Sequence, residues 1–76
     1  MVHAFVMVRT GAGKSEHVRS VVEDFDNVQE AHVVAGQYDV IAEVDAPEVH
    51  EVIHTSSGDI QQLDGVKRTK TYISLS

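Results

Sequence analysis

The pattern His50-Glu51-Val52-Ile53-His54 carries the most obvious chemistry in this chain. Histidines four residues apart share one face of a helix. In the form H-E-x-x-H such a pair can hold zinc while the glutamate acts as a general base. A zinc hydrolase also needs a third ligand and a cleft for its substrate, and a chain of 76 residues has little room for either. The apolar stripe of the same segment, Val49, Val52 and Ile53, must face the rest of the domain, which leaves His50 and His54 on the flank. Solvated helix histidines are the favoured reading, with adventitious or structural metal binding behind it, and no metal or cofactor is assigned.

Gly11-Ala12-Gly13-Lys14-Ser15 resembles the end of a phosphate-binding P-loop, but that motif needs a glycine where this chain has Val8. The segment reads instead as a flexible strand-to-helix connection that can border a ligand site. Cysteine is absent, which removes thiol chemistry, disulfides and cysteine zinc sites. No serine sits in an elbow motif, and no pair of acids has a separation that sequence can fix.

The run Val34-Ala35-Gly36-Gln37-Tyr38-Asp39-Val40-Ile41 is more informative. It joins two apolar β-type segments through one glycine and leaves an amide, a phenol and an acid at the joint. A tight turn with Gly36 at positive φ would let a small molecule approach the main chain closely. An ordinary hairpin turn is the competing reading.

These groups must be held by one small domain, residues 1–76. A domain this size buries only about 60% of its unfolded surface, so self-association is a natural remedy for a marginal monomer. Twelve acids against six bases give a net charge of −6, which opposes nucleic acid and anionic membranes. The apolar N-terminal stretch is too short to span a bilayer and lacks the pattern of a signal peptide, so a cytoplasmic location is expected. The dispersed acids and the three lysines also suit a salt-rich cytoplasm.

Periodicity predicts strand, helix, strand, strand, helix, strand. The first strand covers Val2 to Arg9. A helix from Lys14 or Ser15 to about Phe25 places Val18, Val21, Val22 and Phe25 on one side, with Ser15 as its N-cap. Val28 to Ala35 and Tyr38 to Asp45 form a hairpin. Pro47 opens a second helix, with Val49, Val52, Ile53 and Ser56 inward, which stops near Gly58. Ile60 and Leu63 anchor the following loop, Asp64-Gly65 turns it, and Val66 to Leu75 is the last strand.

A βαββαβ order specifies an α+β, ferredoxin-like fold: a four-stranded antiparallel sheet with two helices on one face, linked by right-handed crossovers. The first strand offers Val2, Ala4, Val6 and Val8 on one side and His3, Phe5, Met7 and Arg9 on the other. Neither side is polar throughout. A half-apolar second face with Phe5 and Met7 near its middle argues for a homodimer that buries this face, with His3 and His32 at the interface. If His3 and His32 met there as a buried neutral pair, association would depend on pH.

With these residues in view, the chain resembles the effector-binding (RAM) domain of the leucine-responsive and asparagine-responsive regulators, the Lrp/AsnC family. The marks are the apolar first strand closing on Thr10-Gly11-Ala12-Gly13, the segment Val34-Ala35-Gly36-Gln37-Tyr38-Asp39-Val40, and Leu63-Asp64-Gly65-Val66-Lys67-Arg68-Thr69-Lys70-Thr71. The resemblance covers nearly the whole chain. Family members usually carry an N-terminal helix-turn-helix domain, and a chain starting on the first strand looks like a stand-alone version.

The resemblance implies sensing. Its domains dimerise through their sheets, often assemble into rings, and bind amino acids or related effectors near the Gly-x-Tyr-Asp turn. Carried over by position, Gly36, Gln37, Tyr38 and Asp39 form the lip of the effector site, with Thr69 and Thr71 contributing from the last strand. Turn amides would receive an α-carboxylate, Asp39 would pair with an α-ammonium, and Tyr38 would cover the side chain. The output would pass through a partner such as a full-length regulator. Two alternatives stand beside this: a small dimeric α+β barrel enzyme, an oxygenase or isomerase using His3, His32 or Tyr72, and a purely structural assembly module.

Overall fold

The computed structural model describes all 76 residues. Strand β1 is Val2–Thr10, helix α1 Ser15–Val22, β2 Val28–Val33, β3 Val40–Ala46, α2 Val49–Ile53 with a π-helical continuation His54–Ile60, and β4 Val66–Ile73. The strands form one antiparallel sheet in the order β2-β3-β1-β4, the ferredoxin-like arrangement.

Alternation along β1 decides which face the helices cover. Ala4, Val6 and Val8 are fully buried, and they join Val40, Ala42, Val44 and Ala46 of β3 on the same side. Val18 and Val22 of α1, Val52 of α2 and Ile60 close this core. The odd-numbered side chains of β1 face the other way, where Phe5 remains 37% exposed.

Strand β2 departs from simple alternation. Its register with β3 shifts between Val28 and Glu30, so that Val28 pairs Val44 while Glu30 pairs Glu43. The irregularity changes the parity of the strand. Val28 consequently packs on the core together with Ala31, although strict alternation assigns them to opposite faces.

The connection after β2 differs from a tight turn. Strand β2 ends at Val33 and β3 begins at Val40, and the intervening loop is closed by the Val34 N–H on the Asp39 carbonyl at 2.8 Å. The Asp39 N–H in turn donates to the Val8 carbonyl of β1 at 2.9 Å. A longer loop spreads the chain reversal over several residues, and Gly36 does not adopt positive φ. The left-handed positions are Gly13, with φ 76°, and Gly65, with φ 95°. Gly65 also accepts the Gly11 N–H on its carbonyl at 2.9 Å, tying the β1–α1 connection to the start of β4.

The helices are shorter than their apolar periodicity predicts. Ser15 is the first residue of α1, and Lys14 occupies the cap without a side-chain bond. The helix gives way after Val22 to tighter turns in which Asp24 and Phe25 donate three residues back, though Phe25 still packs on the core. Pro47 precedes the cap of α2, because Glu48 is extended at φ −141°, ψ 157°. The helix then runs past Gly58 by widening: Gln61 N–H bonds the Ser56 carbonyl, five residues back, at 3.0 Å. This winding buries Thr55, Ser56 and Ile60 together, and the Ser56 hydroxyl donates to the Ile53 carbonyl at 3.3 Å. Strand β4 ends at Ile73, leaving Leu75 97% exposed.

Candidate functional site

The uncovered face of the sheet is organised by cross-strand register. Phe5 lies between Glu43 and Tyr72, Met7 between Ile41 and Lys70, and Arg9 opposite Arg68. Met7, Ile41 and Tyr72 form the floor of a pocket of about 330 Å³. Its wall is the loop after β2, through Val34, Gly36, Gln37 and Tyr38. The volume lies at the low end of the range for small-molecule sites, and the lining is mainly apolar with a few polar groups, as such sites require.

Cations stand against the residues of the pocket's wall and floor without themselves lining it. Arg9 Nη1 donates to the Gln37 carbonyl at 2.5 Å. The Arg68 guanidinium stands 5.8 Å from the centre of the Tyr38 ring, and Lys70 Nζ stands 5.7 Å from that of Tyr72. Gly36 contributes open space, since a Cβ added there meets nothing within 4 Å.

Asp39 follows this wall without lining the pocket. Its Oδ2 accepts the Thr10 N–H at 2.8 Å, which anchors the loop to β1. Thr69 and Thr71 pair with Val8 and Val6, so their side chains point to the helix side of the sheet. Thr69 Oγ1 donates to Gln61 Oε1 at 3.1 Å. The structure thus brings Gly36, Gln37 and Tyr38 together, places Asp39 behind them, and separates Thr69 and Thr71 by the thickness of the sheet. Arg9, Arg68, Lys70 and Ile41 are the neighbours that sequence reasoning passed over. The alternation that puts Thr69 and Thr71 inward also puts Arg68, Lys70 and Tyr72 outward, which was the available signal.

The other end of the open face is acidic and carries histidine. His3 Nδ1 is 2.5 Å from Asp45 Oδ1, its Nε2 is 3.4 Å from Glu43 Oε1, and its ring meets Phe5 edge-on at 5.0 Å. The hydrogen bond to Asp45, together with the charges of Asp45 and Glu43, raises the His3 pKa above its ordinary value against a smaller opposing effect of desolvation. His32 lies opposite Ile41 with its Nε2 3.1 Å from Glu30 Oε1. Within the chain His3 and His32 therefore do not form a neutral pair: register assigns them to different rows, and His3 is biased towards its charged form.

A second concavity, of about 360 Å³, lies at the α1–β2 connection and includes Asp24, Asp26, Asn27, His54 and Asp59. His50 and His54 are not gathered around one point. His50 groups with Glu48 and Glu51, whereas His54 Nδ1 lies 3.9 Å from Asp59.

A family model for the Lrp/AsnC ligand binding domain matches residues 3–76, which includes both ends of this face and the whole pocket. The chain belongs to the Lrp/AsnC ligand-binding domain family. A protein from Thermus thermophilus has the same fold, with a TM-score of 0.94 and 29% identity over 100% of this chain and 95% of that one. Escherichia coli AsnC is 25% identical over 99% of this chain, with a TM-score of 0.88. The Lrp/AsnC domain described here spans 51% of that chain. A Neisseria meningitidis transcriptional regulator, solved as a complex with L-Met, shares the fold at a TM-score of 0.84 and 16% identity, with 99% of this chain and 50% of that one covered. Comparison with curated proteins finds none that matches. Membership points to a non-enzymatic regulatory domain that binds a ligand, and no helix of this Lrp/AsnC domain is long and apolar enough to cross a membrane.

Proposed function

We propose that this single domain senses a small amino-acid-like effector, self-associates through its open sheet face, and acts through a partner chain. The observation that carries the reading is the apolar pocket where the Gly36-Gln37-Tyr38 loop meets the open sheet face. His3, Phe5, Met7 and His32 all belong to that face, and a second copy laid on it would roof the pocket at a subunit junction. A ligand held there would favour one assembly state through its differential affinity. Gln37 and Tyr38 contact the effector, and Asp39 serves by fixing the loop that presents them. The bound form of the Neisseria relative makes an amino acid the natural first class to test. A full-length Lrp/AsnC regulator, joined through the same sheet surface, fits the role of partner. The net charge of −6 weighs against direct contact with nucleic acid or an anionic membrane, and the cytoplasm is the compartment this reading assigns.

Thermal denaturation against each standard amino acid, at low and high KCl, tests this reading. Ligand at a hundred times its Kd stabilises the native state by about 2.7 kcal/mol. In a domain of this size that is a rise in Tm on the order of 10–20 °C. Sedimentation should give a dimer, and Phe5→Glu should dissociate it. A panel without any shift at millimolar ligand would reject amino acids as the effector, and a monomeric wild type would reject self-association.

A further inference from the structure

The chain carries six arginines and lysines against twelve acids. Three of those six, Arg9, Arg68 and Lys70, touch the walls of one apolar pocket through Gln37, Tyr38 and Tyr72. Arg9 and Arg68 lie directly opposite each other on adjacent strands, an arrangement that is unfavourable for like charges. The chain's Lys/Arg–carboxylate ion pairs are those of Arg19 with Glu16 and Glu23, and none involves Arg9, Arg68 or Lys70. The acidic end of the same face is different, because Asp45 and Glu43 hold His3 while Glu30 holds His32.

The pocket itself contains no carboxylate. Asp39, the nearest acid in sequence, is engaged by the Thr10 amide. A bound ammonium group would therefore find no anionic partner in the wall and three cations around it. A bound carboxylate would lie in the field of those cations, relieve the Arg9–Arg68 repulsion and gain a charge-assisted hydrogen bond where a guanidinium turns in from behind the wall. The floor of Met7, Ile41 and Tyr72 suits a hydrocarbon or aromatic body.

We propose that the ligand of this pocket is an apolar monocarboxylate, recognised by its carboxylate and its hydrocarbon part, with no contribution from an α-ammonium group. The proposal rests on the effector reading above and shifts its ligand class from amino acids to apolar monocarboxylates such as their 2-oxo acid counterparts.

Calorimetric titration of the intact protein with three matched compounds tests it: L-phenylalanine, phenylpyruvate and phenethylamine, followed by the series L-leucine, 4-methyl-2-oxopentanoate and isopentylamine. Within one series the 2-oxo acid should bind about tenfold more tightly than the amino acid, and the amine should give no heat. Arg68→Gln and Arg9→Gln should each weaken 2-oxo acid binding roughly tenfold while the mass of the assembly stays unchanged in sedimentation. An amino acid binding as tightly as its 2-oxo acid, or more tightly, would overturn this inference and leave the effector reading standing. Absence of binding by every compound, with no shift in the amino-acid panel, would overturn the effector reading and this inference with it. If the arginine variants dissociate the assembly at unchanged ligand affinity, these cations serve subunit contact and the inference also falls.

Discussion

Replacing Asp39 by alanine should destabilise the fold itself. The carboxylate is half-buried and accepts the main-chain N–H of Thr10 at 2.8 Å, and Thr10 is only 8% exposed. Hydrogen bonds to charged groups contribute roughly 1.5–3 kcal/mol, and a buried amide left without an acceptor costs about 1–3 kcal/mol. Partial exposure of Asp39 selects the lower end, so a loss of about 1.5 kcal/mol is expected for Asp39→Ala. For a chain of this length each kcal/mol corresponds to about 4–8 °C in Tm, which gives a fall of about 6–12 °C. Asp39→Asn keeps an acceptor oxygen and should recover about half of the loss. Urea denaturation of the three proteins, with equal m-values, measures the effect. Because the side chain is absent from the pocket lining, ligand affinity well below the transition should change by less than about threefold, or about 0.7 kcal/mol. An Asp39→Ala protein within about 0.3 kcal/mol of wild type would refute the anchoring role, as surface substitutions without a structural partner usually stay within about 0.5 kcal/mol.

Two further expectations come from the backbone and from the acidic end of the open face. Gly65→Ala should cost about 2 kcal/mol, since φ is 95° and the new Cβ would lie 3.2 Å from Lys14 Cβ, whereas Gly36→Ala should stay within about 0.5 kcal/mol; equal urea midpoints for the two variants would contradict the assignment. The raised pKa of His3 means that its stabilisation is complete below the ordinary histidine value of 6.5 and is lost as pH rises through the folded-state value. The urea midpoint of wild type should therefore decline across that window relative to Asp45→Asn, and parallel pH profiles would remove His3–Asp45 as the source.

Much of the fold was legible because a period of two in β1 and a helical period in α1 each point to one buried face. Ala4, Val6 and Val8 inside with Phe5 and Met7 outside follow from that alternation alone. Strand β2 was less legible, since an irregular register near Val28 changes parity without any proline or glycine to announce it. Gly36 misled in the opposite way: it suggested a left-handed turn, but the structure places that conformation at Gly13 and Gly65. At the site, the segment of Gln37 and Tyr38 stood out through its local pattern. Arg9, Arg68 and Lys70 did not, because their convergence depends on pairing between β1 and β4, strands at opposite ends of the sequence.

The wide winding of His54–Ile60 sets a length constraint on the chain. Its i→i+5 turn spends one more residue than an α-turn to deliver Ser56 and Ile60 to the same core. Deleting one residue there would return the turn to ordinary helical spacing with Ile60 still in phase, whereas adding one without further widening would rotate Ile60 by about 100° away from the core. The loop from Val34 to Asp39 has no such phase to keep, since Gly36 projects into open space and the loop's ends are fixed by their own backbone bonds. Insertions should therefore be rejected in the helical segment and accepted at the pocket wall, so that the part of the chain bounding the ligand is free to lengthen while the part that packs the core is not.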